Sequence, residues 1–98
     1  MNIQAMMKQA QKLQKDMMNK KDEIDKKVFI GKSALVTAEV MGNKNINKIK
    51  INSEDLELDD IEILEDMIVT AINDAMKQID KETEATMGKF TNGMPGLF

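Results

Sequence analysis

The spacing of apolar residues in the first quarter of the chain predicts a long amphipathic helix. From about Asn2 to Lys27 these residues recur at intervals of three and four, and no Gly or Pro interrupts the pattern. A helix of about 25 residues would be nearly 40 Å long, which exceeds what the core of so short a chain can cover. We therefore expect its apolar stripe to meet a partner chain. The stripe consists of Ile3, Met6, Ala10, Leu13, Met17 and Ile24.

The middle of the chain changes to β-branched residues, which predicts three short strands in an antiparallel meander. The apolar runs cover residues 28–30, 35–41 and 46–51, and Gly31 and Gly42 are interpreted as turn residues between them. Residues 42–45 are predicted to form a hairpin turn because Gly and Asn tolerate positive φ. A three-stranded sheet has two open edges and a face that needs cover, so the helices must pack on it.

A second amphipathic helix is predicted after a polar connection. Asp59 is the candidate N-cap, with Glu62 three residues later, and apolar residues then recur at helical spacing as far as Met87 or Gly88. The fold class is therefore α+β, an α-β-β-β-α protomer with a three-stranded antiparallel meander flanked by two long helices. Residues 1–98 form one domain, and residues 89–98 are a candidate flexible tail that is frayed or docked. The positions assigned to the core or to a dimer interface are Met6, Ala10, Leu13, Met17, Leu35, Val40, Ile49, Leu64, Ile68 and Ile72.

The composition of the 98 residues excludes most common catalytic and metal chemistry. Without Cys or His, disulfides, ordinary zinc sites and the usual nucleophile–base pairs are missing. The acidic run from Asp55 to Glu62 lacks the spacing of a calcium loop and is better explained as a helix entry. We expect no enzymatic activity, cofactor, metal site or small-molecule substrate. The chain also shows neither a membrane span nor a secretory signal, which predicts a cytoplasmic protein without a membrane partner.

The net charge of −3 conceals a basic first half and an acidic second half. Residues 1–27 contain seven Lys and four acids, whereas residues 53–86 contain two Lys and twelve acids. Such a split is typical of a surface for nucleic acid or membrane on one half, and complementary faces within one dimer would produce it as readily. Every cation is Lys and none is Arg, so any nucleic-acid binding should rest on phosphate contacts rather than base readout.

Three lysines of the first predicted helix are the best candidates for such contacts. Lys8, Lys12 and Lys15 lie at i, i+4 and i+7, which aligns them on one side of the helix. Lys20 and Lys27 extend this basic surface towards the sheet. A solvated helix face without a ligand is the alternative interpretation.

Four segments of the chain are specific enough to compare with known proteins. They are MKQAQKLQ at Met7–Gln14, the strand that ends in Val40-Met41-Gly42, ILEDMIVTAINDAMKQI at Ile63–Ile79 and the closing GMPGLF at Gly93–Phe98. Together they resemble the YbaB/EbfC family of bacterial nucleoid-associated proteins. The resemblance covers nearly the whole chain. It implies a tweezer-like homodimer with projecting helices that binds DNA in the nucleoid and influences nucleoid organisation and gene expression.

The resulting hypothesis is a homodimer that binds duplex DNA through Lys–phosphate contacts, largely without sequence specificity. Lys77 and Lys81 of the second helix join the five lysines above as candidate DNA contacts. The alternative is a dimeric protein–protein interaction module without DNA affinity of its own, whose basic and acidic halves pair with each other or with a protein partner.

Overall fold

A computed structural model describes residues 2–52, 54 and 60–93, with the backbone alone described for 89–93. It confirms the predicted α-β-β-β-α order and the α+β class. The predicted N-cap Asp59 lies outside the described residues, and so does the end of the chain from residue 94. The elements are α1 (Ile3–Lys26), β1 (Val28–Lys32), β2 (Val36–Met41), β3 (Ile46–Ile51) and α2 (Ile61–Gly93).

The side chain of Asn2 caps the start of helix α1, where the first backbone amides have no carbonyl partner within the helix. Its Oδ1 accepts hydrogen bonds from the amides of Gln4 and Ala5 at 3.0 and 3.4 Å, which satisfies two of the unpaired donors of the first turn. The helix ends at Lys27, whose backbone is extended and whose amide donates to the carbonyl of Ile24. The chain therefore passes directly from α1 into β1.

The three strands form an antiparallel sheet in the order β1-β2-β3. In the register of the sheet, Ala38 of β2 stands between Gly31 of β1 and Ile49 of β3. The register shifts by one between Glu39 and Val40, so that Asn47 of β3 has no direct partner on β2. The central strand β2 therefore pairs with both β1 and β3 and determines their register.

The core lies between one face of the sheet, called the inner face here, and α2, with the end of α1 closing one side. Helix α2 packs on β1 and β2, and α1 packs on α2. Residues of the inner face and of α2 are buried because the two surfaces are apolar and directly opposed. The buried cluster consists of Ile24, Phe29, Val36, Ala38, Val40, Ala71, Ala75 and Ile79.

Gly31 is a strand residue, so its assignment to a turn was wrong. It belongs to β1, and a Cβ at this position would lie 1.9 Å from the carbonyl oxygen of Ala71 and 2.6 Å from the amide nitrogen of Ala75. The backbone of β1 can approach α2 this closely only because Gly31 lacks a side chain and the facing residues are Ala. This glycine determines how the sheet and the helix pack.

The turn between β2 and β3 also differs from the prediction in one detail. The residue with positive φ is Lys44, at 72°, rather than Gly42 or an Asn. The turn is supported locally, because the amide of Asn45 donates to Oδ1 of Asn43 at 2.9 Å. Gly42 is needed for another reason, since a Cβ there would lie 1.7 Å from the carbonyl oxygen of Ile24 in α1.

Helix α2 continues beyond the predicted end at Met87 or Gly88. It runs to Gly93, and Gly88 is an internal helical residue. A Gly inside a helix costs about 1 kcal/mol relative to Ala, which is too little to end a helix that is otherwise well supported. Residues 89–93 of the predicted tail are therefore helical.

The outer edge of β1 is closed by two side chains of α2. Oδ2 of Asp74 accepts a hydrogen bond from the amide of Lys32 at 3.0 Å, and Nε2 of Gln78 donates to the carbonyl of Ile30 at 2.8 Å. These groups would otherwise be free to pair with another strand. The edge of the sheet at β1 is thus blocked to strand addition.

The molecule is elongated. Its extents are 71 × 20 × 12 Å and its radius of gyration is 19.5 Å, whereas a compact domain of this length has a radius of about 13 Å. The difference reflects the two long helices, which extend beyond the small sheet. Much apolar helix surface is consequently left without cover from the chain itself.

Candidate nucleic-acid interface

The N-terminal half of α1 forms a projecting arm with a row of lysines. From Asn2 to Asn19 every residue is exposed except the half-buried Leu13 and the buried Met17. Lys8, Lys12 and Lys15 are all exposed and occupy the side of the helix opposite the apolar stripe, since they are offset from it by about half a turn. They span about 10 Å along the helix axis. The predicted alignment on one side follows directly from the helix.

These three lysines, called the arm lysines here, have no ion-pair partner among the residues that the structure describes. No acid precedes Asp16 in the sequence, so the arm is purely cationic over its first three turns. Unpaired ammonium groups on an exposed helix can reach a ligand without first breaking an internal contact. The arrangement can bind an extended polyanion electrostatically.

The lysines nearer the end of α1 are paired within the helix. Nζ of Lys21 lies 3.3 Å from Oδ2 of Asp25, and Nζ of Lys26 lies 3.0 Å from Oδ2 of Asp22. Lys20, one of the predicted contacts, lies 3.5 Å from Oε2 of Glu23. These pairs are exposed and weak, but they reduce the positive potential of this part of the helix.

Lys27 is held against the body of the protein. Its Nζ lies 2.6 Å from Oε1 of Glu82 in α2 and 5.4 Å from the centre of the Phe29 ring. The side chain therefore links the start of β1 to α2. This cation is engaged in holding the fold, unlike the arm lysines.

Lys77 and Lys81 are exposed on α2 and have no ion-pair partner in the described part of the chain. They lie near β1, since Gln78 between them donates to Ile30. The arm lysines are far from this region, because Lys12 and Lys27 are separated by about 22 Å along the axis of α1. At physiological ionic strength the screening length is about 8 Å. The arm lysines and the group near β1, which consists of Lys27, Lys77 and Lys81, thus form two electrostatic regions, and Lys20 lies between them along α1.

The predicted core or interface positions divide by exposure. Val40 and Met17 are buried, whereas Met6 and Ala10 on the arm are exposed. The remaining six positions are half-buried, and four of them pack against the buried core cluster, namely Ile49, Leu64, Ile68 and Ile72. The other two are Leu13 and Leu35.

Three further lysines were not singled out from the sequence. Lys32, Lys48 and Lys50 lie on the sheet face that points away from α2, because they alternate with residues of the inner face. The alternation of Ile and Lys between residues 46 and 51 was the signal that could have identified two of them. They make the outer face of the sheet basic.

Other kinds of site are not found in the described residues. No group of three or more potential metal-binding side chains occurs among them. No helix within the described ranges combines the length and apolar character needed to cross a membrane.

The fold and the lysine row define a small α+β protein with a projecting cationic helix, a class suited to contact with nucleic-acid phosphates. The chain belongs to the YbaB/EbfC DNA-binding family, whose model matches residues 1–94. The resemblance predicted from the four sequence segments is thereby confirmed.

Close relatives carry the name nucleoid-associated protein. One from Lactococcus lactis subsp. cremoris is 50% identical over 97% of this chain and 98% of the relative. One from Enterococcus faecalis is 43% identical over 98% of this chain and 94% of the relative. The fold is also similar to a crystal structure of the uncharacterized protein HP0035 from Helicobacter pylori, with a TM-score of 0.74 and 16% identity, covering 91% of this chain and 96% of that one.

Proposed function

We propose that this protein is a homodimeric DNA-binding protein of the bacterial nucleoid that grips duplex DNA through Lys–phosphate contacts, largely without sequence specificity. Its effect would be on nucleoid organisation and, through it, on gene expression. The observation that carries the proposal is the unpaired row of arm lysines on a projecting helix, in a chain that belongs to a DNA-binding family.

The chemistry of the cations supports non-specific binding. The ammonium group of Lys is a compact charge that contacts phosphate oxygens, and it lacks the planar fork with which Arg reads a guanine edge. No Arg occurs in the chain. Contacts of this kind position a protein on the duplex without reading its sequence.

Dimerisation gives the arms their function in this proposal. A single arm offers three aligned lysines, which is a small electrostatic contact. Two arms double the number of phosphates engaged by one particle, and the second contact forms at a high effective concentration once the first is made. Four other lysines make secondary contacts in this proposal. Lys20 and Lys27 already have acidic partners, and Lys77 and Lys81 lie on α2, away from the arm.

The proposal is tested by neutralising the arm lysines and measuring affinity by fluorescence anisotropy on two unrelated duplexes. We expect the triple variant K8Q/K12Q/K15Q to lose affinity for both duplexes by a similar factor, because phosphate contacts are independent of sequence. The helix should persist, since Gln is a good helix former. Circular dichroism checks this point.

A matched control removes the same number of charges elsewhere. K21Q/K26Q/K44Q neutralises three lysines that are paired with Asp25, Asp22 and Asp80. We expect this variant to bind DNA much more tightly than the arm variant. Equal losses in both variants would mean that net charge alone matters and would contradict the proposed interface. No DNA binding by the unmodified protein would favour the protein–protein interaction module instead.

A further inference from the structure

Helices α1 and α2 lie side by side and run in opposite directions. Each is longer than about 30 Å, whereas the molecule measures only 20 and 12 Å across its long axis, so both must follow that axis. Ile24 of α1 and Ile79 of α2 belong to the same buried cluster. Lys21, about one turn before Ile24, lines a surface groove together with Thr83 and Met87, which follow Ile79. Earlier residues of α1 therefore lie beside later residues of α2.

The start of α1 extends past the end of α2. Helix α2 ends at Gly93, about 21 Å beyond Ile79. On α1, the same distance measured back from Ile24 reaches Ala10. The first two turns of α1, about 10 Å from Ile3 to Ala10, therefore have no part of α2 beside them.

These first turns carry an exposed apolar surface. Met6 lies about five full turns before Ile24, so it points to the same side of α1 as that buried residue. Nevertheless Met6 is 52% exposed and Ile3 is 71% exposed. We call Ile3, Met6 and Ala10 the tip stripe. It continues the face of α1 that α2 covers farther along, and the described part of the chain leaves it open.

The exposed tip stripe leaves the first turns of α1 without tertiary support. A short helical stretch is marginal in water unless an apolar face packs against something. Lys8, one of the arm lysines, lies in these turns. A cover for the tip stripe would therefore hold part of the cationic row in helical form.

The 94–98 segment, which lies outside the described residues, has the composition and the length for this cover. It reads Met-Pro-Gly-Leu-Phe, with three large apolar side chains and no charge. It follows Gly93 directly, at the level where the tip stripe begins, and Pro95 disfavours continuation of α2. Five extended residues span about 17 Å, which exceeds the length of about 10 Å of the tip stripe.

We propose that the 94–98 segment of the chain docks on the tip stripe, with Leu97 beside Ile3 and Met6. The arm lysines lie on the opposite side of α1 and stay free for a ligand. The segment then takes the place that α2 has farther along α1. This inference goes beyond the proposed function, and it gives the outer part of the stripe a cover from the chain itself instead of from a partner chain.

A pair of introduced cysteines tests the contact, because the chain contains no Cys of its own. M6C/L97C places one thiol on the tip stripe and one on the segment. In the matched control Q4C/L97C the first thiol lies only two residues away, but about 160° around the helix. A disulfide requires the two Cα atoms to lie within about 7 Å, so we expect the intrachain bond to form at least about tenfold faster in M6C/L97C than in the control.

Oxidation is carried out with oxidised glutathione at low protein concentration and without DNA, so its result is independent of DNA affinity. Loss of free thiols gives the rate, and non-reducing gel electrophoresis distinguishes intrachain from interchain bonds. Equal rates in the two pairs, or no disulfide in M6C/L97C, would overturn the proposal. A disulfide between two chains of M6C/L97C would overturn it as well, since the stripe would then meet another copy.

A second variant tests the support that the segment gives to the arm. L97S/F98S removes two apolar side chains outside the core, so the fold should persist. We expect the amides of Met7 and Lys8 to exchange with solvent at least about tenfold faster than in the unmodified protein. The amide of Met17, which is buried farther along α1, is the internal control and should be unchanged. Unchanged exchange at Met7 and Lys8 would contradict the docking.

Discussion

Small residues at single positions set the geometry of this fold. The distance between β1 and α2 depends on Gly31 facing Ala71 and Ala75, where any side chain would collide with helix backbone atoms. The sequence shows only an isolated Gly after an apolar run, which is equally typical of a turn. Because close approach involves residues forty positions apart, it could not be predicted from the local pattern. The arm lysines, in contrast, were predictable because their alignment needs only a helix.

At this scale we predict that G31A destabilises the protein and G88A does not. The new methyl group at Gly31 would press on the backbone of α2, an overpacking that costs about 1–3 kcal/mol. A Cβ at Gly88 has no neighbour within 4 Å, so Ala should stabilise the helix there by up to about 1 kcal/mol.

Urea denaturation at one fixed protein concentration gives both free energies of unfolding, which matters because an oligomer's stability depends on concentration. A G31A variant as stable as the unmodified protein would contradict the close approach of β1 to α2.

Among the elements, α1 was the most predictable and the end of α2 the least. The periodicity of α1 and its helix formers gave its bounds to within one residue, from Ile3 to Lys26. The end of α2 was placed too early because Gly88 was interpreted as a stop, although its cost is small within a long helix. The strands were identified by their β-branched residues, but the hydrogen bonds of the β1 edge to Asp74 and Gln78 have no local sequence signal.

For the arm of α1 we predict that N2A increases fraying of its first turn. Loss of the Asn2 cap removes the acceptor for the amides of Gln4 and Ala5 and costs about 1 kcal/mol. Hydrogen exchange resolved by residue should show faster exchange at these two amides.

Amides of the sheet provide the internal control for N2A, because they lie in another element. Unchanged exchange at Gln4 and Ala5 would mean that the cap does not hold the arm. Equal acceleration in the sheet would instead indicate a global loss of stability.

The whole molecule combines an asymmetric charge with an incomplete core. Among the residues that the structure describes, two ion pairs join the basic first half to the acidic second half, Lys27 with Glu82 and Lys44 with Asp80. Apart from Asp74, which accepts a hydrogen bond at the edge of β1, the other acids of α2 are therefore available to repel a DNA backbone from that helix or to meet a partner's lysines. The charge split could be predicted from the sequence, but which charged side chains form ion pairs with each other depends on the three-dimensional structure.

The salt dependence of DNA affinity tests the central claim most directly, namely that a dimer holds duplex DNA by its arm lysines through phosphates. Six phosphate contacts, three from each arm, predict a slope of roughly −5 for log affinity against log salt. Each arm lysine replaced by Gln should reduce the magnitude of that slope by about one for every contact removed. Similar slopes and affinities on two unrelated duplexes are the expected result, whereas a slope near zero, or no binding even at about 50 mM salt, would contradict the account.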